Sequence, residues 1–252
     1  MSSAHTAVRV VIAIAALAVA TACTSTEDKP EAVTAPSVSL SVLPSVSSSV
    51  SPLVSPLVSP SSAPPIPLSV PDAAFLQAAD TYGGTVAAAE REDMLPALCG
   101  PSFPSDAQLG VRRTVSMQFW TKPDHEGEIP AGTLKQTLAV YKGDGAKRFV
   151  TELRAAVTGC PTRKQGADTH RHTLLQAAPR GDEALLIEVR YPARDLPGDL
   201  TGEEETRLVS VVRSADTVMV LYETGWEGGS TDPADMNRFT DAALTRLRAW
   251  RR

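Results

Sequence analysis

The side chains able to do chemistry in this chain are few and mostly far apart. His170 and His172 flank Arg171, and at strand spacing both imidazoles fall on one face of a sheet. That geometry can hold a metal ion. Arg171 lies between them and no third ligand is evident, so a solvated strand face is expected and no metal is. His125 sits with Asp124, Glu126 and Glu128, a set able to hold a divalent cation weakly but expected to be a solvated acidic loop. The stretch "DLPGDLTGEEE" from Asp195 to Glu205 carries five carboxylates without EF-hand spacing, and is expected to be an exposed loop. Nucleophile motifs are missing: there is no G-x-S-x-G elbow, no S-x-x-K and no H-E-x-x-H. "GDGAKR" is too short for a phosphate loop and lacks its Lys-Ser/Thr ending. No enzyme activity and no cofactor are expected.

The cysteines are more informative. Residues 7–20, "AVRVVIAIAALAVA", carry one charge, Arg9, followed by about eleven apolar residues. Crossing a bilayer takes roughly 20, whereas a signal-peptide core needs roughly 7–15. Ala20, Thr21 and Ala22 are the small residues of a cleavage site, and Cys23 stands where the new N-terminus would be. The pattern resembles the lipobox of bacterial lipoproteins, although Ala20 replaces the usual Leu. The expectation is a signal peptide over 1–22 and an acyl (palmitate-type) anchor on Cys23, which holds the protein on the extracytoplasmic face of the cell membrane. An ordinary secretory peptide with an incidental cysteine is the alternative. Three cysteines leave an odd thiol in an exported protein. Lipidation of Cys23 removes the oddness and leaves Cys99 and Cys160 to form a disulfide, which such a compartment permits. The alternative is two unpaired buried thiols.

These groups need a scaffold, and the chain divides into a tether and a domain. Residues 23–71 are rich in Ser, Pro and Val, have no aromatic residue and contain the short repeat "SPLVSPLVSP". They read as a disordered or polyproline-rich linker. Residues 72–252 are long enough for one domain with its own core. With a formal net charge of −5 and no basic stripe, nothing suggests a nucleic-acid partner.

Within the domain, "PDAAFLQAAD" offers a first helix with Asp72 as its cap. "GVRRTVSMQFWT" and "TLKQTLAVYK" read as strands. Ala146, Phe149, Val150, Leu153 and Val157 share one helical face, with Asp144 able to cap the start and Gly159 and Pro161 the end. "THRHTLLQAA" and "EALLIEVRYP" are further strands, the latter with Leu185, Ile187, Val189 and Tyr191 on one side. "ETRLVSVVR" and "DTVMVLYET", joined by "SAD", read as an antiparallel hairpin. Asp232, Pro233 and Asp235 open a last helix, and Met236, Phe239, Ala243, Leu244 and Leu247 form its apolar face. The fold class expected is α+β, an antiparallel sheet flanked by a few helices. Glu183, in the acidic turn before a strand, reads as a carboxylate that satisfies the turn. Trp226, in the glycine-rich loop "TGWEGGS", either caps the core edge or lines a binding groove with Trp120 or Tyr191.

"TLAVYKGDGAKRFVTELRAAVTGCP", "GDEALLIEVRYP" and the late hairpin followed by "GW" and a helix resemble the extracellular sensor domain of the actinobacterial serine/threonine kinase PknH and its lipoprotein relatives. The resemblance implies helices on an antiparallel sheet, with a groove proposed to bind an unknown ligand. The kinase domain carries two disulfides, whereas this chain can form one, and this chain has no kinase segment.

Three classes of function are consistent with these residues. The first is a lipid-anchored, sensor-like domain that binds a ligand or partner without covalent chemistry, the partner being a small molecule, a wall polymer or an envelope protein. The second is a structural or envelope-assembly lipoprotein. The third is a hydrolase with an unrecognised site. On the lipobox reading, the Cys23→Ala variant should lose processing and membrane retention in cell fractionation, and the exported wild-type protein should show a Cys99–Cys160 linkage by mass spectrometry. Unchanged membrane retention of the variant would overturn the anchor, and two free thiols would overturn the bridge.

Overall fold

A computed structural model describes residues 66–89, 95–96, 98, 102–225 and 231–252. The signal peptide, Cys23, most of the linker, Cys99 and Trp226 lie outside the described residues. Among the described residues, eight strands form a single antiparallel sheet in the order β1-β2-β3-β8-β7-β6-β5-β4. In chain order they are β1 (Val86–Ala88), β2 (Leu109–Phe119), β3 (Gly132–Tyr141), β4 (Thr162–Gln165), β5 (Asp168–Leu175), β6 (Glu183–Arg194), β7 (Leu200–Ser214) and β8 (Thr217–Glu223). Helix α1 (Gly145–Gly159) lies between β3 and β4, and α2 (Pro233–Trp250) follows β8. This is the α+β arrangement expected, with β1 and β4 added as short edge strands.

The two helices cover opposite faces. Along β7, Val209 and Val211 join the apolar cluster of Phe149, Val150 and Leu153 on α1. Leu208 and Val212 join that of Met236, Phe239 and Leu244 on α2. Successive strand residues point to opposite faces, so both sides of β7 are buried. Hence "LVSVV" and "TVMVL" run without a polar period, as strands covered on both faces do. Between the strands the chain turns in two residues, with Ala215 in the left-handed region at φ 53°. The Asp182 carboxylate accepts the Ala215 N–H at 2.7 Å and so ties the turn to the start of β6.

Three sequence expectations need correction. "PDAAFLQAAD" is no α-helix; only Asp72–Ala74 makes a 3-10 turn. Phe75 and Leu76 are buried beyond it, and the Leu76 N–H donates to the Gln136 side chain at 2.8 Å. Tertiary contact thus holds this segment in irregular form against its helix propensity. Packing also starts before Asp72, because Val70 is buried and its carbonyl accepts from Arg113 at 2.8 Å. Asp144 stands at the start of α1 but makes no side-chain cap; its carboxylate accepts from Gln108 Nε2 at 2.9 Å instead. "DLPGDLTGEEE" is an exposed loop only in its first part, since from Leu200 it belongs to β7, where Glu204 and Glu205 pair with Pro192 and Tyr191.

Helix α2 begins as expected: the Ala234 N–H donates to Asp232 Oδ1 at 2.8 Å, with Pro233 following. Asp232→Ala should therefore lower stability by about 1 kcal/mol in chemical denaturation. No change in the midpoint would mean that the cap contributes nothing to the domain.

Candidate functional site

On the α1 face, strand register builds a polar row beyond the apolar core. Arg163 of β4 pairs with His170 of β5, and Tyr191 of β6 pairs with Glu205 of β7. Between them the His170 and Tyr191 rings stack at 5.0 Å and 16°. The Tyr191 hydroxyl donates to Glu205 Oε2 at 3.0 Å. Arg207 Nη2 donates to the same oxygen at 2.6 Å, and its guanidinium lies 5.7 Å from the Tyr191 ring centroid. Arg207 is 2% exposed and Glu205 9%, so this is a buried ion pair roofed by a half-buried aromatic stack. Burial pushes the Tyr191 phenol well above its ordinary value, with Arg207 opposing and Glu205 adding to the shift. The phenol therefore stays protonated and acts as a hydrogen-bond donor.

The loop after β8 begins on this cluster. Gly225 has φ +80°, and a Cβ there would meet Arg207 Nη2 at 2.0 Å. Glycine at 225 is thus required twice, for conformation and for space. The close approach that the glycine-rich loop permits is made here by the chain's own Arg207. On the opposite face, Glu223 is buried. Burial raises its carboxyl pKa, Asp235 and Asp232 add to that shift, and Thr231 and Arg207 oppose it.

His172 differs most from its expectation. It shares a face with His170, as its spacing required, but it is no solvated residue: it is 3% exposed and neither ring nitrogen has a hydrogen-bond partner. Register explains the burial. His172 lies opposite Val189 of the core, and its own N–H donates to the Pro161 carbonyl at 2.7 Å, just past the end of α1. Among the described residues no group of three or more His, Cys, Asp or Glu converges.

The expected groove residues are not gathered in one place. Trp120 stacks on His125 at 4.3 Å and 18°, and its indole N–H donates to the Glu128 carbonyl at 3.2 Å. Lys122 pairs with Glu128 at 2.6 Å, and Asp124, Glu126 and Glu128 are exposed, so this is the solvated acidic loop expected, with the Trp120–His125 stack at its base. Trp120 adjoins β2 and Tyr191 is on β6, four strand spacings apart across β3, β8 and β7, or about 19 Å. Trp226 lies outside the described residues. Glu183 pairs with Arg154 of α1 at 2.8 Å instead of satisfying the turn, where Asp182 accepts the Ala215 N–H. Glu205 and Arg207 are the residues that sequence reasoning missed. Their signal was phase: both stand in register with the apolar residues Val209 and Val211.

No family model matches the sequence, and no curated protein matches it. Among solved structures, the chain is similar to the extracellular domain of PknH from Mycobacterium tuberculosis, with a TM-score of 0.44 and 13% identity. That similarity covers 70% of this chain and 94% of that domain.

The histidines give the site a pH dependence. Burial lowers the His172 pKa below its ordinary value, and repulsion from His170 and Arg163 lowers it further. His170 is lowered as well, by burial, with Asp168 opposing. An unfolded histidine takes up its proton near pH 6.5, and these folded ones only at lower pH. Their stabilisation is therefore full above about pH 6.5 and is lost as the pH falls below it. Melting temperature should drop between about pH 7 and pH 5, and less steeply in His172→Gln, which cannot ionise there. Equal slopes for the two proteins would remove His172 from this account.

Proposed function

We propose that this chain is a lipid-anchored protein of the extracytoplasmic membrane face, and that its domain binds a ligand or an envelope partner without covalent chemistry. The binding surface is the end of the sheet where His170, Tyr191, Glu205 and Arg207 meet the start of the loop bearing Trp226. The observation that carries this reading is the buried Arg207–Glu205 pair, with Tyr191 donating to it and Gly225 packed against it. A buried ion pair adds little to stability relative to apolar packing, so stability is a weak reason to keep one. It fixes the Tyr191 ring and the first residues of the loop. Tyrosine and tryptophan offer broad apolar faces with one polar handle, a combination enriched in binding hot spots.

The anchor rests on "VATAC" and the polar linker after it. Among the described residues no helix is long and apolar enough to cross a membrane. The Cys99–Cys160 bridge remains part of the proposal. It is supported by Leu98, the residue before Cys99, which is buried in the same core cluster as α1, the helix that ends at Cys160. A structural role in envelope assembly is favoured by a different feature. Between β6 and β7 the hairpin tip presents Leu196, 95% exposed, with Leu200 also exposed. Trp120 belongs to the binding surface only if a partner spans both β2 and β6.

The test is retention of envelope components by the immobilised domain, beside thermal unfolding. Tyr191→Ala and Trp226→Ala should weaken retention at least about tenfold while the Trp226 variant keeps most of its stability. A Trp226→Ala stability loss of about 3–5 kcal/mol, the range for a core aromatic, with retention unchanged, would overturn the site.

A further inference from the structure

The α2 face of the sheet holds a cavity that the Tyr191 cluster, on the other face, does not use. Along β7 the residues directed to α2 are Leu208, Ser210 and Val212, and Leu208 and Val212 belong to the apolar core. Ser210 breaks that apolar series at a central strand. It is 6% exposed, and its hydroxyl has no hydrogen-bond partner among the described residues. The hydroxyl is not sealed in the core but opens into the cavity beside it, where it is free to bond whatever enters.

The space beside Ser210 supplies room for one. A cavity of about 150 Å³ lies there, floored by Ser210, Leu186 and Met236. Gln176, Ala178 and Asn237 stand at its mouth, where all three are exposed. Small side chains keep it open, since Ala177, Ala178 and Ala184 line it and reach little beyond the backbone. The irregular segment 176–180 closes one side. It is tied to α2 by Arg180, whose Nε and Nη2 bond the two carboxylate oxygens of Asp241 at 2.6 and 3.0 Å. That pairing matters for selectivity, because it balances the cation of the lining. What remains for recognition is one buried hydroxyl, two amides at the rim and an apolar floor.

We propose that this cavity is a binding site for a small uncharged molecule bearing hydroxyl or amide groups. A 150 Å³ space accommodates a molecule of roughly six to ten heavy atoms. One polar group meets Ser210 at the floor, its apolar edge lies on Leu186 and Met236, and its outer polar groups reach Gln176 and Asn237. A charged ligand is disfavoured, since Arg180 and Asp241 already neutralise each other. The site is independent of the Tyr191 cluster, so either can fail without the other.

The experiment is amide-resolved NMR titration of the exported domain with two neutral probes, meso-erythritol for the hydroxyl class and N-acetylglycinamide for the amide class. Sodium acetate serves as a charged control. Ligands this small bind in roughly the millimolar range, so the titration runs to about 100 mM. The expected result is saturable shifts at Ala184, Ser210 and Asn237 with one neutral probe or both, and none with acetate. Whichever probe binds names the class. Ser210→Ala removes the hydroxyl without adding bulk and should weaken binding about tenfold, the value of one net hydrogen bond. Ala184→Leu should abolish binding by filling the space; the Ser210→Ala variant carries the test alone if the leucine variant does not fold. No saturation with either neutral probe, or equal affinity in Ser210→Ala, would overturn the proposal.

Discussion

The burial of β7 and β8 on both faces is the constraint on which the rest depends. Two helices on opposite sides of one sheet leave no solvent face for the central strands. The sequence meets this with Val209, Val211, Val218 and Val220 on one side and Leu208, Val212, Met219 and Leu221 on the other. Polar residues inside that span therefore need an explanation of their own. There are few. Ser210 faces the α2 cavity, and Glu205 and Arg207 stand beyond Leu208 and Val209, beneath the Tyr191 ring. A continuous apolar stretch makes its exceptions conspicuous, and both sites considered above grow from such exceptions.

The fold was largely legible because its period signals are strong. The apolar face of α2, its Asp232 cap and the "SAD" turn all follow from residue types and spacing, and the structure reproduces them. Failures came where tertiary contacts overrode local preference. Gln136 draws the Leu76 N–H into a side-chain bond and keeps "PDAAFLQAAD" irregular. Edge strands β1 and β4 are three and four residues long, too short to show a period. The site was less legible than the fold. Phase along β6 placed Tyr191 on the covered face. The pairing that joins it to Glu205 depends on β6–β7 register, which "DLPGDLTGEEE" hides by its loop-like composition. His172 looked solvated because a histidine between polar neighbours carries no mark of what α1 and Pro161 place over it.

Arg207 and Gly225 define each other. The guanidinium occupies the volume that any larger residue at 225 would need, and its charge is acceptable at that depth because Glu205 lies beside it. Tyr191 completes the arrangement by donating to the same carboxylate oxygen. A single carboxylate thus holds an aromatic ring on one strand and the root of a loop on another. The loop is thereby tied to the strand that carries the ring, and a change at Glu205 would be felt at both.

The outermost strand on one side, β4, reads Thr162–Arg163–Lys164–Gln165 and is only four residues long. An open sheet edge offers unpaired backbone groups to any passing strand, and short, basic edges discourage that encounter. β1, on the other side, is three residues long. Because the sheet between them is so apolar, this terminal geometry acts as quality control against fibre formation. Copies of the chain crowded together would repel at one margin and find little to extend at the other. The economy of these outer strands is thus as much a matter of keeping neighbours separate as of completing the fold.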